Sequence, residues 1–260
     1  MRYEEKNILI TGASSGIGRA VAIALSHHRT KLVITARRAA RLDSLANEVE
    51  SNGSRCMPVS GDATERIHAE EVVARMVAEF GRIDIAILNV GAGPASNTLT
   101  GSVESILNAM RTNYDSLINF YVPVMKQMKT QTSECMIAHV NSLATYFGIP
   151  MQGDYAAAKA AGRIFLDTAR IELEHFGQSH IKIQTIHPGF VATEATADDG
   201  VPAPNEISEA QAASYILRGI EKEQRENRFP LGTGLAVRIG RIAPHWLRKR
   251  ILLTEAAEEY

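Results

Sequence analysis

The sequence predicts a doubly wound α/β sandwich, a parallel sheet of about seven strands with helices on both faces. Three observations predict it. Short apolar runs alternate with longer segments of helical periodicity along the chain. The run at 84–89 is apolar almost throughout, as strands covered on both faces are. A glycine-rich turn, Thr11-Gly-Ala-Ser-Ser-Gly-Ile-Gly18, joins the first such run to the first helical segment. The chain has 260 residues, 45% of them hydrophobic. That suits a single domain over 1–260 and excludes general disorder.

Residues 7–11 form the first strand, stopped at Gly12, and 18–27 have helical spacing. Residues 31–35 read as a strand. In 39–52, Leu42, Leu45, Ala46 and Val49 share one helix face, with Gly53 as the stop. Residues 56–60 are the third strand. A helix is expected over 64–80, with Thr64 as N-cap, a stripe of Val73, Met76, Val77 and Phe80, and Gly81 behind it. Residues 103–128 form two helices, or one bent before Pro123. A strand at 136–141 precedes an Ala-rich helix at 155–176, which Gly177 ends. The strand at 181–186 is broken by Pro188-Gly189. Residues 190–206, with Gly200, Pro202 and Pro204, read as a mobile loop over the substrate. A helix over 208–227 opens on the capping box Ser208-x-x-Gln211, and 229–231 form a last short strand.

The formal charge is -1, from 28 basic and 29 acidic residues, which gives no bulk reason to bind nucleic acid. The 2 cysteines, Cys56 and Cys135, make neither a disulfide framework nor a metal site and read as reduced thiols. No leader-like segment precedes Ile8, and no apolar run approaches the ~18 residues of a membrane span, so a cytoplasmic protein is expected.

Glycines between a first strand and a first helix let a diphosphate approach the backbone, and the helix N-terminus offers it unpaired N–H groups. The pattern Thr11-Gly12-x-x-x-Gly16-x-Gly18 resembles the cofactor loop of the short-chain dehydrogenase/reductase family. The resemblance runs from about Asn7 to Phe229 and implies a Rossmann-like fold. It places cofactor contacts at Gly12, Ser14, Ser15, Gly16, Ile17 and Gly18. At the end of the second strand an NAD enzyme usually presents an acid to the ribose. Here Ala36 takes that place, followed by Arg37 and Arg38. A guanidinium grips a 2′-phosphate that a carboxylate would repel, so NADP(H) is expected, with Arg37 as selector and Arg38 and Ser14 assisting.

Asp62, beside Ala63, reads either as an acid near a helix start or, by the resemblance, as a cofactor contact at adenine. Leu88-Asn89-Val90-Gly91 departs from the family's Asn-Asn-Ala-Gly but keeps its second Asn and its Gly. Pro188-Gly-Phe-Val-Ala-Thr193 matches the family's Pro-Gly-x-x-x-Thr, implying nicotinamide contacts at Pro188, Gly189, Val191 and Thr193.

Tyr155-x-x-x-Lys159 places a phenol and an ammonium on one helix face. Alone the pair is weak. Ser142, 13 positions earlier, and Asn113 stand where the family carries the rest of a catalytic tetrad. Tyr155 is then the general acid or base, its pKa brought down by Lys159. Ser142 polarises the carbonyl oxygen, and Asn113 holds a water that relays protons to Lys159. Pro94, Leu143, Tyr146, Phe147, Ile149, Met151 and Phe190 are candidate pocket residues and favour an apolar alcohol or ketone. A 3-oxoacyl thioester reductase, or a nonenzymatic NADP(H)-binding sensor, is the alternative, and a homo-oligomer, dimer or tetramer, is expected. The basic extension 235–260 interleaves Arg238, Arg241, Arg248, Lys249 and Arg250 with apolar residues. It reads as a helix on its own domain, a subunit arm or pocket cover, or a membrane-surface segment.

Overall fold

The computed structural model describes residues 2–93, 97–194, 196–197, 203 and 205–254, without the side chains at 236, 238, 241, 251, 253 and 254. Pro94 and the turn residues Gly200, Pro202 and Pro204 lie outside the described residues.

In chain order the elements are β1 (Asn7–Thr11), α1 (Gly16–Ser26), β2 (Lys31–Ala36), α2 (Ala39–Ser51), β3 (Arg55–Ser60), α3 (Arg66–Phe80) and β4 (Ile85–Leu88). Then come α4 (Val103–Met110), a π turn (Arg111–Asp115), α5 (Ser116–Met128), β5 (Cys135–Val140), a 3-10 turn (Leu143–Tyr146) and α6 (Gly153–His175). The chain continues through β6 (Ile181–Pro188), β7 (Val191–Ala192), β8 (Ile207–Ser208), α7 (Glu209–Glu221), β9 (Glu226–Phe229), α8 (Leu231–Ile242) and α9 (His245–Thr254). Seven strands form one parallel sheet in the order β3-β2-β1-β4-β5-β6-β9, and β7 pairs with β8 separately.

Successive residues of β1 point to opposite faces. Ile8 and Ile10 join Val21, Leu25 and Ile216 in one core layer, under α1, α2 and α7. Leu9 joins Val33, Ala86, Phe120 and Leu166 in the other, under α3, α5 and α6. This two-sided burial is why β1 and β4 carry no exposed face. The chain reverses direction of winding between β1 and β4, so a crevice opens at their C-terminal ends.

Besides shifts of one or two residues at strand and helix ends, four differences from the sequence expectation have a visible physical cause, and the last strand is 226–229 rather than 229–231. The 103–128 segment is two helices, as the first alternative had it, joined through the π turn and not divided before Pro123, which lies inside α5. There Asn113 turns inward to bond Ala92 and the Ala109 carbonyl. Thr64 does not cap α3, which starts after Glu65, because its N–H and hydroxyl both donate to Asp62 Oδ1 at 2.9 Å. β6 runs through Pro188, whose missing N–H is harmless at a strand end. α7 stops at Glu221, ahead of Glu223 with φ 51, and 226–229 pair with β6 instead. The capping box is present, Ser208 and Gln211 each accepting from the other's backbone N–H. Among the described residues no helix is long and apolar enough to cross a membrane.

Candidate active site

A cleft of about 1310 Å³ opens along the C-terminal ends of the sheet. Its floor at one end is the turn after β1. Gly12 and Gly16 adopt φ 68 and 60, which a side chain at either position would strain. Ser15 caps α1 without using its side chain, and the first turn of α1 carries no acid. Its N–H groups and positive dipole end are therefore left for an anion. Ser14, Ser15, Gly16 and Ile17 line the cleft here. Gly18 does not. A Cβ on Gly18 would sit 2.4 Å from the Gly12 carbonyl oxygen, so this glycine lets the helix close on the turn.

Arg37, Arg38, Asp62 and Ala63 line the next stretch. Arg38 is tied down, donating to Ser14 Oγ at 3.1 Å, to Ser15 Oγ at 2.5 Å and to Glu194 at 2.9 Å. Arg41 also pairs with Glu194, and these two bonds hold the Glu194 carboxyl below the usual carboxylate range. Arg37 is exposed and has no ion-pair partner among the described residues. The Thr64 backbone bond holds Asp62 low despite burial, and Arg37 adds to that through space. A loop acid, Glu194, clasping two guanidinium groups 156 and 153 positions away is invisible to sequence spacing.

Asn89, Gly91, Ser142, Tyr155 and Lys159 meet at the middle of the cleft, with Pro188, Gly189, Val191 and Thr193 opposite. Lys159 is 3% exposed. Its Nζ donates to the Val140 carbonyl at 3.2 Å and lies 5.6 Å from the Tyr155 ring centre. Burial pushes the Lys159 ammonium down to about 8. The expected lowering of Tyr155 is not what the surroundings produce. Burial raises the phenol, and the hydrogen bond with the Ser142 side chain only partly opposes it. Tyr155 thus holds its proton firmly at neutral pH. Ser142 Oγ accepts from Ala144 N–H at 3.1 Å, which fixes its rotamer.

Asn113 is 1% exposed and does not line the cleft. Its Oδ1 accepts from Ala92 N–H at 3.2 Å, and both amide hydrogens are engaged, at 3.0 Å each, by Ala92 and Ala109 carbonyls. Only one lone pair of Oδ1 is left for a water. Its visible work is to hold the 91–93 backbone beside Lys159. Asn141 is a positioning residue that the sequence pattern did not single out. It donates to the Lys159 carbonyl at 2.9 Å and accepts from Ser142 N–H at 2.8 Å, tying strand β5 to helix α6. His139 and His187 lie behind, driven by burial to about 3 and so neutral.

Leu143, Phe147, Ile149, Met151 and Phe190 form an apolar wall. Tyr146 turns away from it. Its ring lies between the Arg163 and Arg228 guanidinium groups, at 5.4 and 5.3 Å, and its hydroxyl accepts from Arg228 at 2.8 Å. Val237, Gly240, Ala243, Leu247 and Leu252 complete the wall, so α8 and α9 cover the pocket.

A family model described as short chain dehydrogenase matches residues 6–201. The chain belongs to the short-chain dehydrogenase/reductase family. It is 30% identical over 197 residues to an L-rhamnose 1-dehydrogenase (NAD(P)(+)) from Sphingomonas, covering 75% of this chain and 76% of that one. It is 30% identical over 232 residues to a 3-ketodihydrosphingosine reductase of Bacteroides thetaiotaomicron, covering 88% of this chain and 81% of that one. A short-chain dehydrogenase/reductase from Burkholderia phymatum, solved with NAD, shares the fold at TM-score 0.84 and 18% identity, over 100% of this chain and 99% of that one. This family member is an oxidoreductase of alcohol and carbonyl groups. The positive-φ glycine turn, the open helix terminus and the basic rim fit the nicotinamide dinucleotides that its relatives bind.

Proposed function

We propose that this protein interconverts a ketone and a secondary alcohol on an apolar substrate with NADP(H). The observation that carries the cofactor choice is the end of β2. No acid stands there to repel a 2′-phosphate, and Arg37 presents a guanidinium with no ion-pair partner among the described residues. Arg38, shared with Glu194, is the weaker grip. The apolar wall supports the substrate class. The 3-ketodihydrosphingosine reductase likeness agrees with it, whereas the L-rhamnose 1-dehydrogenase likeness points to a polar substrate.

In this reading Tyr155 donates its phenolic proton to the carbonyl oxygen in reduction and takes it back in oxidation. The Ser142 hydroxyl, fixed from below by Ala144, orients and polarises that oxygen. Lys159 keeps a positive charge near the phenol and bonds the cofactor ribose. The bound nicotinamide supplies or accepts the hydride. The wall of α8 and α9 excludes water from the reacting carbon. Exposed Val122, Ile164 and Ile171 on α5 and α6 support a homo-oligomer.

A panel of apolar ketones, sugars and acyl thioesters, followed by NADPH and NADH absorbance, tests the reading. Turnover of apolar ketones with NADPH is expected. Preference for sugars or for NADH refutes the corresponding half, and tight NADPH binding with no turnover leaves a sensor.

A further inference from the structure

The inner side of α8 and α9 walls the cleft, and their outer side is bare. On α8, Leu231, Leu235 and Ile242 are 80%, 58% and 85% exposed, and Ile239, 57% exposed, sits at the edge where this stripe meets the cleft. Their spacings of four, four and three place them on one helix face. Trp246, 67% exposed, follows at the start of α9. From Asn227 to Thr254 the chain has no Asp or Glu, while Arg238, Arg241, Arg248, Lys249 and Arg250 fall within it. Lys249 and Arg250 are exposed and have no ion-pair partner among the described residues. A folded domain normally buries a stripe of this size or offers it to a partner.

We propose that this face docks on an anionic lipid bilayer. An isologous contact with a second copy would set the cationic segment against its own image, and like charges oppose that. An anionic bilayer meets both features at once. Apolar side chains enter the boundary between headgroups and acyl chains, an indole sits at that boundary, and the cations lie among the phosphates. On its inner side α8 packs closely, Gly240 lying against the Phe147 ring, which leaves the opposite face outward. The proposal uses no cofactor contact and is independent of the NADP(H) reading.

Trp246 is the single tryptophan, so its fluorescence reports docking directly. The full chain is titrated with vesicles of neutral phosphatidylcholine and with vesicles containing phosphatidylglycerol. The expected result is a blue shift and co-sedimentation at least about tenfold stronger on the anionic vesicles. It weakens as salt shortens the Debye length from about 10 Å at 0.1 M to about 3 Å at 1 M. Ile242→Asp abolishes the shift and the sedimentation with no change in melting temperature, because that side chain is solvent-exposed. Lys249→Glu with Arg250→Glu removes the preference for anionic vesicles. Equal binding to both vesicles, or binding to neither, overturns the proposal. So does a dimer that Ile242→Asp converts to monomer without any vesicle binding, which would assign the face to a second copy.

Discussion

A methyl group added at Gly91 would probe how closely Lys159 must be placed. The Cβ of Gly91→Ala falls 2.7 Å from Lys159 Nζ, 3.5 Å from its Cε and 3.0 Å from Asn113 Oδ1. Gly91 does not require the left-handed region, so the backbone accepts alanine and the effect is steric. To restore an ordinary contact, Nζ must retreat by about 0.7 Å. Asn113 blocks escape toward the helix side, since its amide is bonded to Ala92 and Ala109. The retreat also strains the 3.2 Å bond from this nearly buried ammonium to the Val140 carbonyl. A misplacement near 1 Å costs up to ~100-fold in rate, so kcat/KM should fall about ten- to a hundredfold, or about 1.4–2.7 kcal/mol. Overpacking should cost about 1–3 kcal/mol of stability. Gly93→Ala is the control, because its Cβ meets nothing within 4 Å. Steady-state carbonyl reduction by the two variants is compared, with NADPH binding measured separately. Equal activities for Gly91→Ala and Gly93→Ala would refute the claim that Lys159 acts from this place.

Tyr155→Phe should lower kcat by about 10²–10⁴ while leaving NADPH binding intact, and near-normal turnover would remove the phenol from the mechanism. The pH profile follows from opposite shifts. Reduction needs the Tyr155 proton, which burial retains, and the Lys159 ammonium, which is lost above about 8. Reduction should therefore be level through neutral pH and fall above about 8, while oxidation rises with pH; a step near pH 6.5 would implicate a histidine, which His139 and His187 cannot supply. Arg37→Asp should cut the ratio of kcat/KM for NADPH over NADH by about tenfold or more, against a small change for Glu194→Gln. An unchanged ratio would show that Arg37 is not the selector. Gly18→Ala should abolish cofactor binding measured by NADPH fluorescence, because its Cβ meets backbone oxygen at 2.4 Å and backbone cannot step aside.

The strands were legible because their signals are local. Strands covered on both faces are mostly apolar, so the Ile8-Leu-Ile10 run of β1 and the Ile85–Leu88 run of β4 announce themselves. The stripe Leu42, Leu45, Ala46 and Val49 and the Ser208 box likewise fix α2 and the start of α7. The π turn was not legible, because the bond its Asn113 makes, to Ala92, joins positions 21 apart. Tyr146 reads as a pocket residue from its neighbours in sequence, yet Arg163 and Arg228, from α6 and β9, claim its ring.

Sequence alone determined the family, the winding of the sheet and the residue types at the cleft, since each is written in short-range pattern or in a motif of fixed spacing. Tertiary structure alone decided how those residues are charged and held. It set Tyr155 high and Lys159 low through burial, engaged Arg38 with Glu194 while leaving Arg37 open, and turned the C-terminal helices into a wall with a bare outer face. Desolvation and long-range pairing depend on what surrounds a group in space, and spacing along the chain does not carry that information.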